Sequence, residues 1–79
     1  MRPGSLFFYT RIKSADDTSV EHRWYRGDTL VFTVDLRVRA NPTAGYRTFS
    51  RNSVSEGDWR IELRSDDGKL LHEERLTVR

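Results

Sequence analysis

The 79-residue chain predicts an all-β domain: a small antiparallel β-sandwich of six to seven strands, with a small closed β-barrel as the alternative. Three observations carry that prediction. Apolar and polar residues alternate with a period of two along most segments. Turn chemistry such as Gly27-Asp28, Asn41-Pro42 and Asp66-Asp67-Gly68 separates those segments at short spacing. No 3.6-residue helical period appears anywhere.

Ser5 to Ile12 forms the first predicted strand, rich in aromatic and β-branched residues and stopped by the polar cluster from Ser14 to Ser19. The Phe7-Phe8-Tyr9 run is too apolar for simple alternation, so its inward side stays open: cover on both faces, or a sheet corner. Val20, His22 and Trp24 alternate with Glu21, Arg23 and Tyr25. Beyond Gly27-Asp28, a long strand sets Leu30, Phe32, Val34, Leu36 and Val38 on one face and Thr33, Asp35, Arg37 and Arg39 on the other. A two-residue Gly27-Asp28 loop would put Trp24 on the wrong side from Phe32. A three-residue loop, Tyr25-Arg26-Gly27, is therefore expected, with Gly27 left-handed, Trp24 opposite Asp28 and His22 opposite Leu30.

Arg39 to Gly45 is the longest loop and the segment expected to be most mobile. Tyr46 to Arg51 follows as a short strand, and Val54 is expected to tuck inward from the connection that leads to Gly57. The stretch from Gly57 to Leu71 is the anchor hairpin. Its Trp59, Ile61 and Leu63 form a dry face against Arg60, Glu62 and Arg64, and Asp66-Asp67-Gly68 turns the chain back. In the last strand, Lys69 to Val78, Leu71 is odd-numbered while Leu76 and Val78 are even. That conflict predicts a β-bulge among His72, Glu73, Glu74 and Arg75.

A chain of this length is one domain, and it buries only about 60% of the surface that its unfolded form exposes. With no cysteine and two histidines, it offers neither a disulfide framework nor a cluster at zinc spacing, so nine aromatics must carry much of the core. Fourteen basic and twelve acidic residues leave a net charge of +2, less than a dedicated nucleic-acid binder carries. Twelve of the basic residues are arginine, whose planar head suits carboxylate pairing. No apolar run approaches the roughly 20 residues needed to span a bilayer, and Leu6 to Tyr9 is too short for a signal peptide. Direct membrane insertion is not expected. Because the ends fall close to the first and last predicted strands, residues 1–79 are expected to be a single domain taken from a longer protein.

Five pieces in order, Phe7-Phe8-Tyr9-Thr10, His22-Arg23-Trp24-Tyr25 with Gly27, Tyr46 to Arg51, Gly57 to Leu63 and Asp67 to Leu71, make the chain resemble the bacterial domain of unknown function 2914 family. The family usually shows Trp and Lys where Tyr46 and Arg51 stand here. The resemblance implies an immunoglobulin-like sandwich, often placed at the end of a bacterial protein after membrane segments or other domains. It brings no activity, cofactor or site residue with it.

Catalysis is not expected. Ser50, His22 and several aspartates supply the residue types of a nucleophile-base set, yet nothing in the sequence brings them together. No Gly-rich phosphate loop, nucleophile elbow or metal motif is present, and no cofactor is expected. The best candidate for ligand binding is Tyr46, Arg47, Phe49 and Arg51, where an exposed aromatic between two arginines could stack on a sugar ring or a nucleobase. The competing reading puts Phe49 in the core with the arginine stems along its edge, and the scarcity of aromatics favours it. His22 reads as a rim residue whose ring meets backbone or solvent. Arg26-Gly27-Asp28 spells the integrin-recognition tripeptide but reads as turn chemistry. Arg37/Arg39 and Arg60/Arg64 interleave with Asp35 and Glu62, predicting cross-strand ion pairs on a solvated face.

The expected role is a non-enzymatic accessory or protein-interaction domain, facing the extracytoplasmic side of a bacterial membrane through its parent protein and docking partners at edge strands. The alternative is carbohydrate binding by exposed aromatics, Phe49 or Tyr46 with Tyr25. Single-stranded nucleic acid is the least favoured partner.

Overall fold

A computed structural model describes residues 4–79 as six antiparallel strands: β1 (Gly4–Ile12), β2 (Thr18–Arg26), β3 (Thr29–Val38), β4 (Tyr46–Val54), β5 (Gly57–Ser65) and β6 (Leu70–Val78). Among the described residues no helix is long and apolar enough to cross a membrane. A two-stranded ribbon, β1–β4, faces a four-stranded sheet of order β3-β2-β5-β6. The sheets do not close on one another, so the architecture is the predicted sandwich and not the barrel.

The Phe7-Phe8-Tyr9 run resolves into ordinary alternation. Leu6, Phe8, Thr10 and Ile12 face inward, whereas Phe7 and Tyr9 are exposed. On the four-stranded sheet, Val20, His22 and Trp24 of β2 and Trp59, Ile61 and Leu63 of β5 supply the dry face, as their period predicts. Val38, Val54 and Val78 close the core around them.

Both hairpins of this sheet solve a parity conflict with a bulge. The β2–β3 loop is the two-residue Gly27-Asp28, with Arg26 opposite Thr29 and Tyr25 opposite Leu30, and not the expected Tyr25-Arg26-Gly27. Trp24 nevertheless pairs with Phe32 and His22 with Val34, because Val31 is an extra residue on β3. The dry rows therefore align as the sequence demands, by a different device. Gly27 has φ +59, and among the described residues none other than glycine has a positive φ, which fits a turn with its left-handed residue first.

The β5–β6 turn is Asp66-Asp67-Gly68, with Gly68 at φ +88 and Ser65 N–H donating to the Lys69 carbonyl at 2.9 Å. Leu63 pairs with His72 and Arg64 with Leu70, so the bulge falls on Leu71, just outside the predicted span from His72 to Arg75. Leu71 is not drawn inward by it. Strands lie about 4.8 Å apart, so a two-stranded ribbon covers roughly half the width of a four-stranded sheet. Leu30 and Val31 on one edge, and Leu70 and Leu71 on the other, stay exposed.

The loop from Arg39 to Gly45 is pinned to the β1–β2 loop: Ala40 N–H donates to Asp17 Oδ1 at 2.7 Å and Asn41 N–H to the Ser14 carbonyl at 2.9 Å.

Candidate recognition face

β4 is patterned inside out. Thr48 and Ser50 are buried, while Phe49 is 55% exposed between the exposed Arg47 and Arg51. Scarcity of aromatics favoured Phe49 in the core, and the register overrules it. β4 runs antiparallel to β1 without a register shift, with Phe8 opposite Ser50 and Thr10 opposite Thr48, so the small hydroxyls share the inner face with Phe8.

Those hydroxyls are inside because His22 is. His22 is 0% exposed, not the rim residue that was expected, and both ring nitrogens are engaged across the sheets. Nδ1 lies 2.7 Å from Ser50 Oγ and Nε2 3.0 Å from Thr10 Oγ1. Trp24 Nε1–H donates to Ser50 Oγ at 3.0 Å, and Thr10 and Thr48 hydroxyls meet at 2.6 Å. The Phe8 ring packs edge-on against the imidazole at 4.7 Å. A neutral imidazole donates from one nitrogen and accepts at the other, so either tautomer completes this chain of bonds. Burial lowers the His22 pKa from 6.5 to about 4, which keeps the ring neutral near pH 7.

Ser50 and His22 are thus brought together by the fold, which nothing in the sequence indicates. The geometry resembles a nucleophile-base pair, yet both residues are buried, and the second ring nitrogen meets a threonine hydroxyl instead of a carboxylate. The network fastens β2 to both strands of the ribbon.

The outer face of the ribbon has a different character. Four cross-strand pairs line it in order: Ser5/Ser53, Phe7/Arg51, Tyr9/Phe49 and Arg11/Arg47. Phe7 is 45% and Tyr9 68% exposed. The three rings form one cluster, with Phe7 and Tyr9 at 5.9 Å and 18° from parallel, Tyr9 and Phe49 at 5.7 Å, and Phe7 and Phe49 at 6.1 Å. The Arg51 guanidinium lies 5.9 Å from the Phe7 centroid. A shallow groove of about 280 Å³ opens between Tyr9, Thr10, Arg11 and Arg47.

Charge is segregated to match. All twelve acidic residues fall between positions 16 and 35 or between 56 and 74, leaving none on β1 or β4. On the four-stranded sheet three of the acids are answered by arginine, with Arg64 Nε at 2.9 Å and Arg60 Nε at 3.4 Å from the buried Glu62, and with Arg23–Glu21 and Arg75–Glu73 pairs. These pairs run along single strands and not across them as predicted. Arg11, Arg47 and Arg51 take part in no ion pair among the described residues.

Of the predicted site residues, the structure unites Arg47, Phe49 and Arg51. It removes Tyr46, which is half-buried against the core. Tyr25, the other aromatic proposed for sugar stacking, lies beneath the Arg60 guanidinium at 4.2 Å. Phe7, Tyr9 and Arg11 were missed. Their signal was the shared spacing of Phe7-x-Tyr9-x-Arg11 and Arg47-x-Phe49-x-Arg51 in two acid-free stretches.

The family model for proteins of unknown function designated DUF2914 matches residues 17–78, which span β2 to β6. The chain belongs to the DUF2914 family. The match begins after β1, so the Phe7-Phe8-Tyr9-Thr10 piece of the resemblance lies outside it. This DUF2914 domain is also 32% identical over 69 residues to proteins named cytidine deaminase from Shewanella sp. strains MR-4 and MR-7 and from Shewanella oneidensis. The matched region is 87% of this chain but 22% of each relative. No solved structure matches.

Proposed function

We propose that this DUF2914 chain is a non-enzymatic accessory domain that holds a partner on the outer face of the β1–β4 ribbon, the partner being anionic and carrying rings or apolar groups. The inverted patterning of β4 carries this reading. A small domain short of core material gains stability by burying its aromatics, yet three of nine stand together in solvent. The arginines around them share β1 and β4 with no acid, so the face is complementary to negative charge. Deamination is not carried over from the similar proteins. Nucleobase deaminases hold their zinc with two or three cysteine thiolates, and this chain has none.

A second reading, stacking of neutral sugars, has its own support in the nearly parallel Phe7 and Tyr9 rings. A titration of the ¹⁵N-labelled domain with three probes tests both. The probes are a decamer of thymidylate, cellohexaose, and a peptide of alternating Glu and Tyr. Amide shifts confined to residues 5–11 and 47–53 with the decamer or the peptide are the expected result. Shifts there with cellohexaose alone would replace the anionic partner by a neutral sugar. Shifts elsewhere, or none with any probe, would remove the recognition face.

A further inference from the structure

Resting on that reading of the ribbon face, we propose that its partner is single-stranded nucleic acid, with bases stacked on Phe7, Tyr9 and Phe49 and phosphates held by Arg11, Arg47 and Arg51. A net charge of +2 spoke against such a partner for the whole chain. The charge is not spread evenly, however. The acids are confined to the opposite sheet and the loops, so a strand lying on the ribbon meets arginine and no carboxylate.

The layout suits this ligand in three respects. Single-strand recognition needs a flat basic track lined by rings, because every base offers a π-face and every linkage a negative charge. Ser5 to Arg11 covers about 20 Å of β-strand, enough for only a few nucleotides and matched to three rings. The arginines flank the ring cluster on both sides: Arg51 beside Phe7, and the Arg11/Arg47 pair beyond Tyr9 and Phe49, where the shallow groove lies. An acidic peptide would use the arginines but needs no row of three mutually touching rings. A neutral sugar would use the rings but leave three arginines without a role.

The test is fluorescence anisotropy of the whole 79-residue chain with a labelled thymidylate decamer and with an abasic decamer of the same backbone. Three phosphate contacts predict a slope near −2 in log affinity against log salt, roughly a twentyfold loss between 50 and 200 mM. The abasic strand should bind at least about fivefold more weakly, the lower end of what one lost base stack is worth. Phe49→Ser should weaken the thymidylate decamer by a similar factor and the abasic strand hardly at all. Arg47→Ala should weaken both and flatten the salt slope by about 0.7. Arg75→Gln, on the far edge of the other sheet, should change neither. Circular dichroism melts of each variant confirm that it is folded before binding is compared.

Equal binding of the two strands, or indifference to Phe49→Ser, would overturn base stacking and with it this inference. So would silence of the decamer at 50 mM salt. If the Glu/Tyr peptide or cellohexaose still shifted the ribbon amides, the recognition face would stand without nucleic acid. If no probe shifted them, both readings would fall.

Discussion

Acid should destabilise this domain through one side chain. In the unfolded chain the His22 ring protonates near its ordinary pKa of 6.5, whereas in the fold burial holds it to about 4. Between those values the unfolded state binds the extra proton, so stability rises with pH there. The contribution is fully present above about pH 6.5 and is lost as pH falls toward 4. At pH 5 the two pKa values give a loss of about 2 kcal/mol. A domain of this size has a total of roughly 4 to 12 kcal/mol, so the loss is a sizeable share. Guanidinium unfolding followed by the fluorescence of Trp24 and Trp59 at pH 7.5, 6 and 5 measures it. His72→Gln, at an exposed site, should preserve the fall, whereas His22→Gln should be less stable at pH 7.5 but nearly flat from there to pH 5. A native domain equally stable at pH 7 and pH 5, or a His22→Gln variant that loses stability as steeply as the native one, would refute the buried-neutral assignment.

Three further outcomes follow from the packing. Ser50→Ala leaves both His22 Nδ1 and Trp24 Nε1 without a partner and should cost about 3 kcal/mol in a denaturant titration. Trp59→Ala should cost roughly 3 to 5 kcal/mol, and a variant that melts within a few degrees of the native domain would show the core lies elsewhere. Gly45→Ala forces a Cβ to 2.6 Å from Arg11 Cγ at φ +84 and should cost about 1 to 2 kcal/mol, and Gly27→Ala, in open space but at φ +59, should cost about 1 kcal/mol from backbone strain alone.

Period-two patterning made most of the fold legible, because a strand with one dry face has no other way to hide Trp59, Ile61 and Leu63 together. Parity also announced that both hairpins needed a correction. It did not say where, since an extra residue can be absorbed by a loop or by either strand. The structure places it on Val31 and Leu71, both on edge strands, where an unpaired residue disturbs only one ladder.

The Phe7-Phe8-Tyr9 run has no period of its own, and only its pairing with β4 reveals that Phe8 alone of the three is inside. The site was half legible for a related reason. Treating aromatics as core material hid Phe49, while the true occupants of that inner row, Thr48 and Ser50, are explained by a histidine 28 positions from Ser50. A long-range hydrogen-bond network leaves no local trace in sequence. Its by-product, a strand with hydroxyls in and a phenylalanine out, breaks the usual rule at the one place where a second role is available.

The central claim is that the ribbon's outer rings serve binding and not folding. One double variant, Phe7→Ser with Phe49→Ser, separates the two when its melting temperature and its affinity for the thymidylate decamer are measured on the same sample. Exposed cross-strand pairs are worth only about 0.2 to 1 kcal/mol each, so the loss of two should move the melt by no more than about 15 °C while affinity falls at least tenfold. A variant that binds as well as the native domain, or one whose rings prove indispensable to the fold, would contradict the account.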